Sequence, residues 1–345
     1  MQAALLYGAR DVRVEEVEAP EPGPAQVLVD VAACGICGSD LHVYEHPSTS
    51  PGRELPRILG HEIGGTVVEV GADVVGVDPG TDVVLSPHEP CGECWCCEAG
   101  EYNLCRDLTA GTATPGGYTE RVVTNASNAI PVPPGVSPEN AAIAQPVSVG
   151  LHAVRQSPLD AGDSVAVFGT GPIGLGALHF ARSGGAGPIY ASEPRDSRRA
   201  VAAAFGADVV VDPTEEDPVE RIREEHGGGV DVAFEAVGHE TTFDQAVRST
   251  RAGGHTTVIG VFDDDVAFQP GALVRHQRTV GGSTSHLIGP RVTAEYDVVL
   301  RQLASGDLDA DQYVTSRIGL DDAVEDGFEA LLDAERAERK ILVCP

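Results

Sequence analysis

Lysine is all but missing from this chain: one residue of 345, Lys340, carries an ammonium side chain, and Lys plus Arg total 23 against 53 Asp plus Glu. So few cations leave no basic patch for nucleic acid. Apolar runs of membrane-spanning length are also absent, and Met1 to Glu16 has no charged-then-apolar leader, so neither a transmembrane nor an exported protein is expected. The expected location is cytoplasmic, where the eight cysteines at 34, 37, 91, 94, 96, 97, 105 and 344 stay reduced and available to metal. A formal charge of −30 with the lysines gone is the composition of a halophilic protein. A dense carboxylate surface holds hydrated cations, and molar salt shortens the Debye length to about 3 Å and removes most self-repulsion. The alternative is an ordinary acidic enzyme, although such proteins usually keep their lysines.

The cysteines that are present are not scattered. Cys91, Cys94, Cys97 and Cys105 lie in CGECWCCEAGEYNLC, and a Cys-x2-Cys pair sets two sulfurs on one tight turn at the right separation for a shared ion. Four thiolates at about 2.3 Å close a tetrahedral structural zinc site with no position open to substrate. A pair of disulfides is the alternative; Cys96 falls outside the spacing and reads as a bystander.

A second cluster mixes thiolate, imidazole and carboxylate: Cys37 in CGICGSDLH, then His61 and Glu62 in ILGHEIGG. Three mixed ligands leave a fourth position for water or substrate, where zinc acts as a Lewis acid on an alcohol or carbonyl oxygen. Taken alone, these are as easily packing and turn residues of a Gly-rich stretch.

The middle of the chain carries Ser164–Phe168 followed by Gly169-Thr170-Gly171-Pro172-Ile173-Gly174, a strand, glycine turn and helix start. Gly169 and Gly171 allow a tight turn and close approach of a pyrophosphate, Gly174 allows close helix packing, and the helix N-terminus offers amide donors. A second short strand, 188–192, ends at Glu193, whose carboxylate suits both ribose hydroxyls of NAD and repels a 2′-phosphate. Arg195, Arg198 and Arg199 stand close by and keep NADP open.

In this order the zinc lobe, Cys37 with His61-Glu62, and GTGPIG resemble the zinc-dependent medium-chain alcohol and polyol dehydrogenases over essentially the whole chain. Within them, CGICGSDLHVYE, ILGHEIGGTVVEVG, ASEPRDSRR, VDVAFEAVG and TSRIGLDDAVEDGFEALL are most similar to the 2,3-butanediol dehydrogenase group, with threonine and sorbitol dehydrogenases sharing much of this. The resemblance implies an α/β protein: a GroES-like, mostly β catalytic domain and a doubly wound parallel-sheet Rossmann domain, with the active site in the cleft between them. The expected boundaries are 1–147 and 284–345 for the catalytic domain, with a zinc lobe at about 88–106, and 148–283 for the cofactor domain. Patterning agrees. Short alternating stretches such as 26–32 and 66–70 broken by Pro and Gly give way to apolar strands at 165–168, 209–211, 232–234 and 256–259 separated by helical stretches. The acidic segment 214–225 reads as a solvated helix face.

The resemblance also implies two zinc ions per subunit, hydride transfer from a small alcohol or diol to NAD, and a homo-oligomer, as a tetramer. Ser39 and His42 match the proton-relay positions, with a turn serine and a surface histidine as alternatives. Asp40 is expected to support Cys37 without binding metal. Gln145 stands where polyol dehydrogenases usually carry Glu, which leaves the Cys37, His61, Glu62 and Zn²⁺ set neutral; Gln145 is read as a weak amide-oxygen ligand or as acting through water, and His152 as helix packing. Ala236, Val237 and Gly260 fall where the family lines the adenine and nicotinamide ends, and Ser283 where the cofactor domain closes over nicotinamide; structural turns explain them almost as well. The side chains that distinguish diol, threonine and sugar substrates are expected around Tyr44, Tyr118 and the segment 284–296, and no sequence rule says which of them face the zinc. The functions left standing are a secondary alcohol or diol dehydrogenase of butanediol/acetoin type, a threonine or sugar/polyol dehydrogenase, and a non-catalytic zinc protein.

Overall fold

The computed structural model describes residues 1–47, 54–110, 116–287 and 294–345. The described chain divides into two compact units, Met1–Gln145 with Leu287–Pro345, and Pro146–His286.

The first unit is mostly antiparallel. Its central strand, Gln26–Gly35, is flanked by Glu62–Val70, Arg121–Asn125 and the C-terminal strand Ile341–Val343. Val27, Val29, Val67, Val83, Val122 and Ile341 alternate into one buried core, as period-two patterning demands. Two strands run longer than their patterning suggests. Gln26–Gly35 continues past residue 32 because Cys34 and Gly35 still pair with Ile63 and Glu62. Glu62–Val70 begins four residues before Thr66, through Gly64 and Gly65, which are poor strand formers. Close packing overrides that propensity: a Cβ at Gly64 would lie 1.8 Å from the Pro138 carbonyl oxygen, and one at Gly65 2.3 Å from that of Asp30. Nothing but glycine fits there, so the glycines belong to the sheet and not to a turn.

The second unit holds six parallel strands in the order Val209–Val211, Ile189–Ser192, Val165–Phe168, Val230–Glu235, Thr250–Val258, Thr279–Gly282. Reading the strands by chain position, this is the 3-2-1-4-5-6 order of a doubly wound nucleotide-binding sheet. Val165–Phe168 is buried at every residue, as a strand covered on both faces must be. The segment 214–225 is helical only over Pro218–Glu225, where the Asp217 carboxylate caps the Val219 N–H at 2.8 Å. Val219 and Ile222 are buried, so that helix packs one face and is not merely solvated. Among the described residues no helix is long and apolar enough to cross a membrane.

Candidate active site and metal centres

Cys37, His61 and Glu62 come together by three different routes. Cys37 caps the helix Gly38–Glu45 and His61 precedes the strand that Glu62 begins. Glu62 lies directly opposite Gly35 in the sheet, where a Cβ on residue 35 would stand 2.0 Å from its Oε2. One ligand atom from each of the three residues falls within 4.8 Å of the others, close enough to share an ion. A thiolate, an imidazole and a carboxylate in one small space form a zinc-type donor set.

The surroundings hold these groups in place. Asp40, buried itself, accepts the Cys37 N–H at 3.0 Å, the Gly60 N–H at 3.3 Å and the Tyr118 hydroxyl at 2.9 Å, and its Oδ1 lies 3.6 Å from His61 Nδ1. Burial would lower the His61 pKa, yet the charges of Asp40 and Cys37 overcome it and hold the imidazole well above its usual range. The site therefore favours a cation next to His61, a place a metal ion fills. His88 is neutral by contrast: burial, then the charge of His61, pulls it down to about 4. Glu62, fully buried, is gripped by Lys340, whose Nζ donates to Oε1 at 2.8 Å, to Oε2 at 2.7 Å and to the Ile36 carbonyl at 2.7 Å.

The four cysteines of the lobe form a closed set. Their sulfurs lie 3.5 Å apart for 94 and 97, 3.5 Å for 91 and 105, 3.8 Å for 94 and 105, and 4.0 Å for 91 and 97. A tetrahedron with zinc–sulfur bonds of ~2.3 Å has edges of about 3.8 Å, so the thiols already outline it. All eight cysteines are free, and these separations are far above a disulfide bond of about 2.05 Å, which removes the disulfide alternative. Backbone N–H donation from Cys97 first, then from Arg106, brings the Cys94 thiol down to about 6, while burial and then Cys94 itself push Cys97 up to about 12. Four thiolates cannot share this space without a cation to balance them. Cys96 is buried in the same lobe with its thiol pushed up by burial.

In the second unit Gly169 has φ +90° and Gly171 caps the helix Pro172–Ser183, with Pro172 in its first turn and Ile173 following. A Cβ at Gly174 would lie 1.9 Å from the Gly169 carbonyl oxygen, so the turn folds tightly onto its helix. Glu193 is buried under that turn: Oε2 accepts the Thr170 N–H at 2.9 Å and Oε1 the Arg195 N–H at 3.1 Å. Arg199 is spent on Asp196, Asp212 and the Glu193 carbonyl. Arg195 Nη1 is buried without a partner among the described residues, and Arg198 Nη1 reaches to 3.8 Å from a Cβ placed on Gly171. The loops holding Ala236, Val237 and Gly260 interlock: a Cβ on Gly260 would lie 2.1 Å from Gly238 N. Ser283 donates its N–H to the Val258 carbonyl at 2.8 Å, and its hydroxyl is buried. A tight glycine turn, a helix N-terminus and a buried carboxylate at the end of the next strand fit a dinucleotide.

Ser39 and His42 are exposed and three residues apart on Gly38–Glu45, hence on one helix face. Gln145 is buried in the first turn of Ala144–Gln156, and His152 is buried farther along it. Tyr44 and Tyr118 pack on one ring, and the Tyr118 hydroxyl reaches Asp40 beside the Cys37 cluster. Tyr44 stacks on Phe328 at 4.7 Å and donates to Glu329, and Tyr118 meets the same ring edge-on at 5.6 Å, so both tyrosines serve the core. Of the segment 284–296, residues 288–293 lie outside the described residues. The sequence reading missed Lys340, His88 and Glu235. The last is fully buried, and its Oε1 accepts the Val237 and Gly238 N–H groups at 2.9 Å and the Thr242 hydroxyl at 2.7 Å, fixing a cofactor-side loop. Its place as the last residue of a buried strand, just before the Ala-Val-Gly turn, is the signal that could have found it.

Comparison with known proteins agrees with this chemistry. The alcohol dehydrogenase GroES-like domain family matches residues 23–134, and the zinc-binding dehydrogenase family matches 172–305. (R,R)-butanediol dehydrogenase of Bacillus subtilis is 38% identical over 100% of both chains, and a crystal structure of 2R,3R-butanediol dehydrogenase from that organism superposes with TM-score 0.90, covering 100% of this chain and 99% of that one at 37% identity. L-threonine 3-dehydrogenase of Pyrococcus abyssi is 35% identical over 96% of this chain and 94% of its own. A zinc-binding dehydrogenase of Sinorhizobium meliloti 1021 bound to NADP superposes with TM-score 0.89 at 36% identity, covering 100% and 99%. With a mixed thiolate, imidazole and carboxylate cluster beside a tetrathiolate lobe, and a dinucleotide turn on a parallel sheet, the chain belongs to the zinc-dependent, NAD(P)-dependent medium-chain alcohol and polyol dehydrogenases.

Proposed function

We propose that this enzyme oxidises a secondary alcohol or vicinal diol of the 2,3-butanediol type, and reduces the corresponding ketone, with NAD as hydride acceptor. The convergence of Cys37, His61 and Glu62 carries the reading of the site, and similarity to a butanediol dehydrogenase over both whole chains supports the substrate class. Cys37, His61 and Glu62 would hold one zinc ion, and Cys91, Cys94, Cys97 and Cys105 a second. When bound, the first supplies a Lewis acid for the substrate oxygen.

The chain's own groups do the rest. Asp40 fixes the Cys37 backbone and sits against His61, so the donors are preorganised. Bound NAD would take the carbinol hydrogen as hydride, and Ser39 Oγ would pass the hydroxyl proton toward the His42 ring and water. Gly169, Gly171, Pro172, Ile173, Gly174 and Arg198 receive the pyrophosphate, Glu193 the adenosine ribose, and Ala236, Val237, Gly260 and Ser283 the remaining cofactor surface. A carboxylate at 193 favours NAD; the buried Arg195 Nη1 beside it, without a partner among the described residues, supports NADP as the second reading.

The acidic, lysine-poor composition supports function in high salt, and eight free thiols support a reducing, cytoplasmic location. The outermost strand Thr279–Gly282 leaves one sheet edge open among the described residues, which supports assembly with further copies, as a homotetramer to be sized by light scattering. A threonine dehydrogenase is the second substrate reading, on 35% identity across 96% of the chain. The deciding experiment measures NAD and NADP reduction by zinc-loaded protein in molar KCl with butanediol stereoisomers, threonine, sorbitol and glucose, and acetoin in reverse. Turnover of a butanediol isomer is expected. Exclusive turnover of threonine or a sugar moves the substrate assignment and leaves the mechanism standing.

A further inference from the structure

We propose that Lys340 is a positioning residue of the metal site: it shares the Glu62 carboxylate with the bound ion and so makes Glu62 a weak, releasable ligand. The inference rests on the reading of Cys37, His61 and Glu62 as metal ligands.

The composition sets the argument up. Of the 23 cationic side chains in this chain all but one are arginine, so whatever removed lysine elsewhere did not remove it here. The geometry says why arginine does not serve. The Lys340 ammonium has three N–H donors and meets three acceptors, both Glu62 oxygens and the Ile36 carbonyl, at 2.7–2.8 Å in a site where Lys340 is 2% exposed. A guanidinium carries five donors in a flat fork, and in the same place it would bury donors without acceptors.

The pair is also more than scaffold. Glu62 has a ligand atom within 4.8 Å of those of Cys37 and His61, so a metal ion there and Lys340 compete for the same two oxygens. A carboxylate engaged by an ammonium gives less negative charge to a neighbouring cation. Counting the Cys37 thiolate, the Glu62 and Asp40 carboxylates, a neutral imidazole and a dication gives minus one, and Lys340 brings the buried total to zero. The ion stays a stronger Lewis acid, and its weakest bond is to Glu62.

The test is spectroscopic and needs no substrate. Cobalt is placed in the Cys37 site with zinc retained in the four-cysteine lobe, and visible d–d and thiolate charge-transfer bands are recorded for wild type, Lys340→Met, Glu62→Gln and the double variant, alongside zinc affinity by chelator competition and circular dichroism for folding. Lys340→Met is expected to bind metal about tenfold more tightly and to change the cobalt bands, because Glu62 becomes an unshared ligand. In the Glu62→Gln background the same lysine substitution should leave the bands unchanged. A folded Lys340→Met with wild-type spectrum and affinity overturns the proposal, as does a change that survives undiminished without Glu62. Should Lys340→Met not fold, Glu62→Gln decides: a loss of zinc affinity below about tenfold fits a shared ligand, and a loss of about a hundredfold or more overturns it. If Cys37→Ser leaves the metal content unaltered, the ligand assignment fails instead, which is a distinguishable result.

Discussion

Two metal-type clusters in the same unit were built in opposite ways. The four-cysteine lobe draws every ligand from 15 consecutive residues, 91–105, and its sulfurs face one another with no other ionisable partner needed. The Cys37 cluster is assembled from a helix cap, a loop and a strand, and its charge is set by a lysine 278 residues away from Glu62 in the chain. A closed site can be written in one short segment because its only task is to hold. An open site has to be held by the fold, because each ligand's charge and freedom must be limited from outside.

If the comparison is right, damage to the two clusters separates cleanly. The largest effect is expected from Cys37→Ser: kcat falls about a thousandfold or more, the several kcal/mol a Lewis acid supplies, while thermal unfolding stays near wild type and one zinc of two is lost. Activity and metal content measured on the same sample check it, and a variant that keeps both zincs breaks the comparison. Cys94→Ser should do the reverse. Loss of a structural metal costs about 4 kcal/mol of stability, read in urea unfolding, with residual turnover by the folded fraction. Equal loss of intrinsic kcat in both variants would show that the lobe is part of the active site and not a staple.

What the sequence disclosed follows the same division. The lobe, the glycine turn and Glu193 are local patterns, legible because ligand spacing and turn geometry act over a few residues. Cys37 with His61-Glu62 was legible only beside them. Lys340 was not legible, because its contact exists only once Ile341–Val343 pairs with Gln26–Gly35 and sets it beside Glu62. Which way Tyr44 and Tyr118 face was not legible either, because only the folded chain sets both rings against Phe328. The strand's start at Glu62 was not legible, because nothing local reveals the carbonyl groups that crowd Gly64 and Gly65. The substrate stayed out of reach, since small diols, threonine and polyols differ in side chains that no local rule assigns to the pocket.

His88 sharpens the comparison because it lies between the clusters, three residues before Cys91 and within electrostatic reach of His61. Its folded pKa of about 4 lies below the ordinary 6.5, so the unfolded chain binds this proton first as pH falls. Stability is then unaffected by this group above pH 6.5 and is lost as pH drops from 6.5 to 4, at about 1.4 kcal/mol per unit and about 3 kcal/mol in all. In His88→Gln that part of the slope should vanish, which urea unfolding across pH 4–7 measures. An unchanged slope would mean that other groups govern acid stability and that the join between the clusters is not held by a neutral imidazole.

The smallest expected effect concerns a second buried carboxylate, held in the opposite manner to Glu62. Glu193 has no ammonium partner among the described residues; backbone N–H groups of Thr170 and Arg195 bond its oxygens, so no side-chain cation shares its charge beneath the glycine turn. That charge is what should exclude a 2′-phosphate, and Glu193→Ala is expected to shift the NADP-to-NAD ratio of kcat/KM by about tenfold toward NADP, or about 1.4 kcal/mol. The buried Nη1 of Arg195 then becomes the natural phosphate partner, so adding Arg195→Ala should take most of that gain away. A Glu193→Ala enzyme that loses NAD and NADP turnover in equal proportion would mean that the carboxylate merely braces the turn. In that case the two buried glutamates would differ in partner but not in kind, each a structural anchor for its own loop.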